Sequence, residues 1–151
     1  MAAIAAIYEH EVKHGIATFD ITPPPHETWL HKVQDETPGH HLLVADEDGA
    51  ILGYAYSVDY RPRGGYAATK ETSVYLAPDA RGRGVGTAVY SRLLELLRAD
   101  GMHTALAVFA APNPPSAALH RALGFERVGV LREVGHKFGR RLDTEFWQLM
   151  L

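Results

Sequence analysis

The segment Arg81-Gly-Arg-Gly-Val-Gly86 brings two arginines and three alternating glycines together in six residues. Glycine lets the backbone come close to a ligand, and arginines beside the free amides of a helix N-terminus favour a pyrophosphate group. A glycine-rich turn alone is more often ordinary turn chemistry. Here it stands between a predicted strand that ends at Leu76 and a long predicted helix, which favours phosphate binding. The segment matches neither the GxxxxGK phosphate loop nor the dinucleotide-binding fingerprint.

A second chemical motif, His10-Glu-Val-Lys-His14, matches the HExxH pattern of zinc hydrolases. On a helix the two histidines would share a face, and the glutamate could act as a base on zinc-bound water. However, the chain contains nine histidines, so chance matches arise easily. Gly15 ends the predicted helix at the second histidine, and no third ligand follows at a familiar spacing. Zinc hydrolysis is therefore the less favoured hypothesis, and we expect no metal site.

The elements that must position these residues follow from hydrophobic spacing and turn signals. The strongest is a helix over residues 84–99, whose apolar side chains recur at helical spacing. Asp46-Glu-Asp-Gly49 separates two apolar runs and predicts an antiparallel hairpin. The complete prediction is helices over 2–14, 25–36, 84–99 and 114–123, and strands over 41–45, 51–58, 68–76, 103–109, 125–134 and 144–151. Without repeats or linkers, residues 1–151 are predicted to form a single α+β domain.

Composition, net charge and the absence of cysteine exclude several classes of function. The 151 residues are 46% hydrophobic and 22% charged, which is typical of a globular domain. The net charge of -3 gives no basic field, so nucleic acid and anionic membranes are not expected partners. The absence of cysteine excludes disulfides, thiolate zinc sites and a catalytic cysteine, and fits a cytoplasmic setting. Neither a signal peptide nor a membrane-spanning run is predicted.

The motifs together resemble the GNAT acetyltransferases, whose R/Q-x-x-G-x-G/A signature is matched by Arg81, Gly84 and Gly86. The resemblance extends over nearly the whole chain to the phosphinothricin and methionine sulfone acetyltransferase group. The recurring features of that group are matched, in order, by Thr18-Phe-Asp20, Tyr60-Arg-Pro-Arg63, Glu71-x-Ser-Val-Tyr-Leu76, Asn113-x-x-Ser116, His120, Leu-Gly-Phe125, Val134-Gly-His-Lys-Phe-Gly139 and Leu-Asp143.

The resemblance implies a GNAT fold: a mixed, mostly antiparallel central sheet, helices on both faces, and a splayed pair of parallel strands. It also implies an acetyl-CoA-dependent N-acetyltransferase. The acceptor would be the α-amine of a small molecule such as phosphinothricin, methionine sulfone or methionine sulfoximine, attacking directly in a ternary complex. A non-catalytic acyl-CoA-binding module and a protein acetyltransferase remain alternatives.

The resemblance also assigns residues to acetyl-CoA. Backbone groups of one strand would bind the pantetheine arm and the acetyl carbonyl, and residues 82–87 would bind the pyrophosphate. Asn113, just before the predicted helix 114–123, would hydrogen-bond the pantetheine. As ordinary structure, Asn113 would only cap a helix, and the strand residues would only pack inward. The implied residues are Val74, Tyr75, Leu76, Arg81, Gly82, Arg83, Gly84, Val85, Gly86, Thr87, Asn113 and Ser116.

For catalysis, the resemblance points to Glu71 as the general base, because an ammonium group must lose a proton before it can attack a thioester. His120 stands where many GNAT enzymes have a tyrosine that protonates the leaving thiolate, although packing alone would also explain it. The implied acceptor-binding residues are Phe19, Arg63, Tyr66 and Lys137, among which Lys137 could instead belong to a solvated basic turn with Arg140 and Arg141.

One departure from the family concerns the N-terminus. Members usually begin with a strand of the form I-R-x-A, whereas this sequence starts directly at the predicted first helix. We expect that the uncovered surface favours a homodimer.

Overall fold

The computed structural model describes residues 1–151, which form four α-helices and six strands. In chain order, the elements are α1 (Ala2–His14), α2 (His26–Gln34), β1 (His41–Glu47), β2 (Ala50–Asp59), β3 (Thr69–Leu76), α3 (Val85–Ala99), β4 (Thr104–Ala111), α4 (Pro114–Ala122), β5 (Glu126–Lys137) and β6 (Arg140–Met150). All ten predicted elements are confirmed in type. The largest differences in their bounds occur in the last two strands.

The six strands form one sheet in the order β1-β2-β3-β4-β6-β5, and every neighbouring pair is antiparallel except β3 and β4. The parallel pairing of β3 with β4 runs only from Thr69 opposite Thr104 to Glu71 opposite Leu106. Beyond this point β3 stays paired with β2, and β4 stays paired with β6 as far as Ala111. The two strands therefore separate towards their carboxyl ends, which confirms the predicted splayed pair.

Helices cover both faces of the sheet, as predicted. On one face α3 packs on β1, β2 and β3 and buries Val89, Leu93, Leu94 and Leu97, the apolar stripe that its sequence spacing indicated, in a core that also includes Trp147 of β6. On the other face α1 and α2 bury a second cluster around Trp29, which includes aromatic side chains of β2 and β3. Each face of β3 thus has its own core, and its successive side chains alternate between them.

The β5–β6 hairpin is longer and tighter than predicted. Lys137 pairs with Arg140, so only Phe138 and Gly139 form the turn, and both have positive φ angles of 51° and 73°. Such two-residue turns match the twist of a hairpin. The alternative of a solvated basic turn is wrong for Lys137, which is only 4% exposed, while Arg140 and Arg141 are exposed.

None of the four α-helices has both the length and the apolar character that crossing a membrane requires.

Candidate active site

The glycine-rich segment lies between β3 and the first turn of α3. Gly82 and Gly84 have φ angles of +74° and +79°, which side-chain-bearing residues rarely adopt. A β-carbon at either position would meet no atom within 4 Å, so the backbone is open to a ligand there. Gly84 is the residue before α3, and no side chain caps the helix. The amides of Val85, Gly86 and Thr87 are therefore available at the positive end of the helix dipole.

Both arginines of this segment pair with carboxylates. Arg81 forms an ion pair with Glu11 of α1, and Arg83 donates to both carboxylate oxygens of Glu47, at 3.0 and 2.8 Å. Glu11 is the glutamate of the HExxH motif, and it is buried against Arg81. His10 and His14 are exposed on another part of the helix surface. The glutamate is thus not free to act as the base that a zinc hydrolase needs.

The residues Val74, Tyr75 and Leu76 form the part of β3 that has separated from β4. Their pairing with Ala55, Tyr54 and Gly53 of β2 uses one edge of the strand, so the backbone groups on the other edge face the gap. Val74 packs against the α3-side core, whereas Tyr75 is buried on the α1 side. The gap therefore exposes backbone hydrogen-bonding groups to a ligand that enters between the strands.

Glu71 occupies the last paired position before that gap, opposite Val58 on β2 and Leu106 on β4. Strand alternation puts its side chain on the same face as Tyr75. Burial raises the pKa of the Glu71 carboxyl above its ordinary value. Burial also raises the pKa of Tyr56, and the charge of the nearby Glu71 contributes to that shift. A carboxylate with a raised pKa is a stronger base than an ordinary one, and beside an open gap it can accept a proton from a bound ligand.

An aromatic cluster adjoins Glu71. Sequence reasoning assigned its member Tyr75 to the cofactor and did not identify Tyr54 or Tyr56 as part of the site. The rings of Tyr54, Tyr56 and Tyr75 are stacked, with centroids 5.5 to 6.5 Å apart. The ammonium of Lys32 lies 4.3 Å from the centroid of Tyr56. The alternation of tyrosines at positions 54 and 56 was the available signal, because such side chains share one strand face.

Two of the predicted acceptor-binding residues meet at β5. The ring of Phe19 lies against the backbone of Gly135, and the Lys137 ammonium donates to the carbonyl oxygens of Thr18 and Glu11 at 2.8 and 3.1 Å. Burial lowers the pKa of Lys137. These contacts attach the loop that follows α1 to the β5–β6 hairpin. Direct acceptor binding by Phe19 and Lys137 stays a prediction.

The other two predicted acceptor-binding residues lie in the loop between β2 and β3. Arg63 is exposed and lines a cavity of about 470 Å³ with Arg61, Lys70 and Met102. Tyr66 is 40% exposed, and its ring packs edge-on against Tyr60. Phe19 and Lys137 thus lie at β5, whereas Arg63 and Tyr66 lie in the loop between β2 and β3.

Asn113 and Ser116 begin α4, directly after β4. The Asn113 side chain accepts a hydrogen bond from the Ser116 amide at 3.2 Å, which is the helix cap that the sequence allowed. Their contact with a cofactor stays a prediction.

His120 is buried in the α3-side core and packs against Phe109, with ring centroids 5.0 Å apart. Its Nδ1 donates to the Ser116 carbonyl at 2.7 Å, and its Nε2 lies 3.2 Å from the Tyr90 hydroxyl. Burial lowers the pKa of His120, and the bond to Ser116 opposes this shift. The His120 side chain is therefore linked to the gap between β3 and β4 indirectly, through Tyr90 and Thr72.

Comparison with known proteins agrees with this geometry. The model of the acetyltransferase (GNAT) family matches residues 4–125. A phosphinothricin N-acetyltransferase from Streptomyces coelicolor is 42% identical over 94% of this chain and 85% of its own length. An L-methionine sulfoximine/L-methionine sulfone acetyltransferase from Pseudomonas aeruginosa is 40% identical over 100% of this chain and 89% of its own length.

A solved structure also matches closely. The crystal structure of a GNAT superfamily phosphinothricin acetyltransferase from Sinorhizobium meliloti, in complex with AcCoA, superposes with a TM-score of 0.91. It is 43% identical, and the match covers 97% of this chain and 80% of that one. Sequence, fold and the separated strand pair agree, and the chain belongs to the GNAT family of acetyltransferases.

Proposed function

We propose that the protein transfers the acetyl group of acetyl-CoA to the α-amine of a small amino acid of the phosphinothricin, methionine sulfone or methionine sulfoximine type. Relatives named for these acceptors are 42% and 40% identical to it. The observation that carries the proposal is the position of Glu71, a half-buried carboxylate with a raised pKa where β3 and β4 separate.

Three features fit acetyl-CoA. The gap beside Val74, Tyr75 and Leu76 offers strand-edge backbone groups for the amides of the pantetheine arm. The open backbone at Gly82 and Gly84 leads to the uncapped amides of α3, and this combination suits a pyrophosphate. Asn113 and Ser116 stand where β4 ends, on the other side of the gap. They are proposed to contact the pantetheine there.

In the proposed reaction, Glu71 accepts a proton from the acceptor ammonium, directly or through water. The amine nitrogen then bonds to the acetyl carbonyl carbon and loses its second proton to solvent, and the carbon–sulfur bond breaks. A backbone amide near Tyr75 or Leu76 donates to the carbonyl oxygen, which becomes negative during the attack. Because the amine attacks directly, the reaction needs no acyl-enzyme.

The leaving thiolate also needs a proton, and solvent water is the favoured donor. Burial raises the pKa of Tyr75 well above its ordinary value. Such a tyrosine is a poor acid, and a thiol has a pKa of about 8.5, so the coenzyme can leave as a thiolate and take its proton from buffered solvent afterwards, without an acid beside it. The lowered pKa of His120 keeps that side chain neutral, and its Nδ1 hydrogen already binds Ser116.

Acceptors of this type carry a carboxylate and a polar tetrahedral group in addition to the amine. Arg63 supplies an exposed cation, and Tyr66 supplies a partly exposed aromatic ring, in the loop that leads into β3 and Glu71. We assign these two residues to direct acceptor binding. Phe19 would form a wall of the same pocket, and Lys137 would hold the loop that carries Phe19.

The proposal includes a homodimer and a cytoplasmic location. The edge strand β5 and its turn carry five large apolar side chains that are roughly half exposed, and a second copy would cover them. These residues are Val128, Val130, Leu131, Val134 and Phe138. The cytoplasmic location follows from the proposed cosubstrate, because acetyl-CoA is made and used inside cells.

A direct test is to measure thiol release from acetyl-CoA with a panel of acceptors. The panel contains phosphinothricin, methionine sulfone, methionine sulfoximine, a polyamine, an aminoglycoside and a lysine peptide. We expect turnover with the first three and the N-acetylated amino acid as product by mass spectrometry. Turnover confined to the peptide would contradict the acceptor class. Tight binding of acetyl-CoA without turnover would indicate a non-catalytic acyl-CoA-binding module.

A further inference from the structure

A side-chain hydrogen bond joins β3 to β4 at the point where they separate. Backbone pairing of the two strands ends at Glu71 and Leu106. The next residue of β3, Thr72, donates from Oγ1 to the Leu106 carbonyl oxygen at 3.0 Å. Because Thr72 follows Glu71, its side chain lies on the opposite face, towards α3. The hydroxyl thus links the two strands at the closed end of the gap.

Two further side chains continue from Thr72 on the α3 side of the sheet. Its Oγ1 lies 2.6 Å from the hydroxyl of Tyr90 on α3, and that hydroxyl lies 3.2 Å from Nε2 of His120 on α4. The exposed fractions of Thr72, Tyr90 and His120 are 2%, 0% and 4%. Their polar atoms are therefore shielded from water and depend on each other. This series of side-chain contacts connects β3 and β4 to α3 and α4, the helices that follow them.

The number of hydrogens on each group fixes which group donates in each of these hydrogen bonds. The carbonyl oxygens of Leu106 and Ser116 only accept, so Thr72 donates to the first and His120 Nδ1 donates to the second. The single hydrogen of Tyr90 then goes to Thr72. With His120 neutral, no hydrogen remains for the contact between Tyr90 and His120, and that contact is the longest of the four. The contact between Thr72 and Tyr90 is therefore a true hydrogen bond, whereas His120 contributes mainly by packing against Tyr90.

We propose that Thr72 and Tyr90 are positioning residues that fix the opening between β3 and β4 and thereby set the affinity for the acyl-CoA arm. The inference rests on the proposed function, since it assumes that this arm enters the gap. Neither hydroxyl touches the reacting atoms. Each acts by holding the Leu106 carbonyl of β4 and the backbone of β3 in the spacing that the arm requires.

The test compares three substitutions of buried threonine. Thr72→Val keeps the shape and removes the hydroxyl, Thr72→Ser keeps the hydroxyl, and Thr104→Val makes the same chemical change at the far end of the same strand pair. We expect Thr72→Val to raise the KM and Kd for acetyl-CoA by about 3- to 10-fold, the scale of one lost hydrogen bond, with kcat reduced less than 2-fold. Thr72→Ser should restore most of the affinity, and Thr104→Val should leave it unchanged.

Tyr90→Phe provides a second measurement that removes only one oxygen atom. It should shift the KM for acetyl-CoA in the same direction as Thr72→Val, with the KM for the acceptor unchanged. Equal loss of affinity in Thr72→Val and Thr104→Val would mean a general stability effect and would overturn the inference. Unchanged affinity in both Thr72→Val and Tyr90→Phe would also overturn it. If the parent protein does not bind acetyl-CoA, the proposed function itself fails, which is a separate result.

Discussion

The ring of Phe19 lies so close to Gly135 that a β-carbon at position 135 would overlap the ring. Gly135→Ala should therefore displace Phe19 and the loop that follows α1. We expect the KM for the acceptor to rise several-fold while the KM for acetyl-CoA stays constant. Gly129→Ala on the same strand is the matched control, because a β-carbon there meets no atom within 4 Å. An unchanged acceptor KM in Gly135→Ala would remove Phe19 from the acceptor pocket.

Replacing Glu71 with Gln keeps the side-chain shape and removes the base. The kcat should fall by roughly 10²- to 10⁴-fold, and the affinity for acetyl-CoA should stay nearly the same. Part of the lost rate should return at high pH, where more of the acceptor is already a free amine. The measurement is kcat against pH for both proteins, with folding checked by circular dichroism. A variant that keeps the parent profile would exclude Glu71 as the base.

The raised pKa of Glu71 also predicts how the activity of the parent enzyme falls on the acidic side of its pH–rate profile, its acid limb. A base works only when it is deprotonated, so activity is present above the pKa and is lost as the pH falls through it. Because burial raises this pKa, the loss should begin at a higher pH than an ordinary glutamate with a pKa of about 4.3 would give. The plot of kcat/KM against pH should have this limb, and Glu71→Gln should keep only the rise with pH that deprotonation of the acceptor amine causes.

Gly84→Val places a β-branched side chain at a φ of +79° and in the open space before α3. We expect the affinity for acetyl-CoA to fall at least 10-fold, because both the backbone conformation and the approach of the phosphates are disturbed. Gly101→Val is the control, since Gly101 has a φ of +74° and equally open surroundings at the other end of α3. Calorimetry measures both variants. If Gly84→Val binds as tightly as the parent, the pyrophosphate assignment is wrong.

Lys137→Met retains the apolar part of the side chain and removes the ammonium that donates to Glu11 and Thr18. Leaving these buried carbonyls with fewer partners should lower the free energy of unfolding by about 1–3 kcal/mol. Chemical denaturation measures this change. A residue that only bound the acceptor would give a different result: a higher acceptor KM with no loss of stability.

The features that could be predicted from the sequence are those that depend on residues close together in the chain. The helix Val85–Ala99 and the hairpin of β1 and β2 follow from local spacing and turn residues, and both were predicted. The glycine-rich segment was also predicted, because positive φ angles need glycine at particular positions. These features depend on neighbouring residues only, so a single sequence reveals them.

Other parts of the site depend on partners that are distant in sequence. Arg81 meets Glu11 across 70 positions, and Lys137 meets Thr18 across 119. Lys137 was predicted to bind the acceptor, with a solvated basic turn beside Arg140 and Arg141 as the alternative, and its burial could not be foreseen because only the tertiary fold produces it. His120 was likewise assigned a catalytic role by resemblance, whereas its surroundings in the core could not be inferred from spacing.

The ion pair between Arg81 and Glu11 has a consequence for the rate at which the coenzyme leaves. If Arg81 binds the pyrophosphate as proposed, an arriving phosphate has to share or replace the carboxylate that Arg81 already holds. Glu11 is buried, so a complete loss of its partner would leave a charge with little access to water. Part of the attraction between Arg81 and the phosphate is therefore offset by the broken pair. When the product coenzyme departs, the carboxylate recovers its partner, which favours rapid release and a short residence time between turnovers.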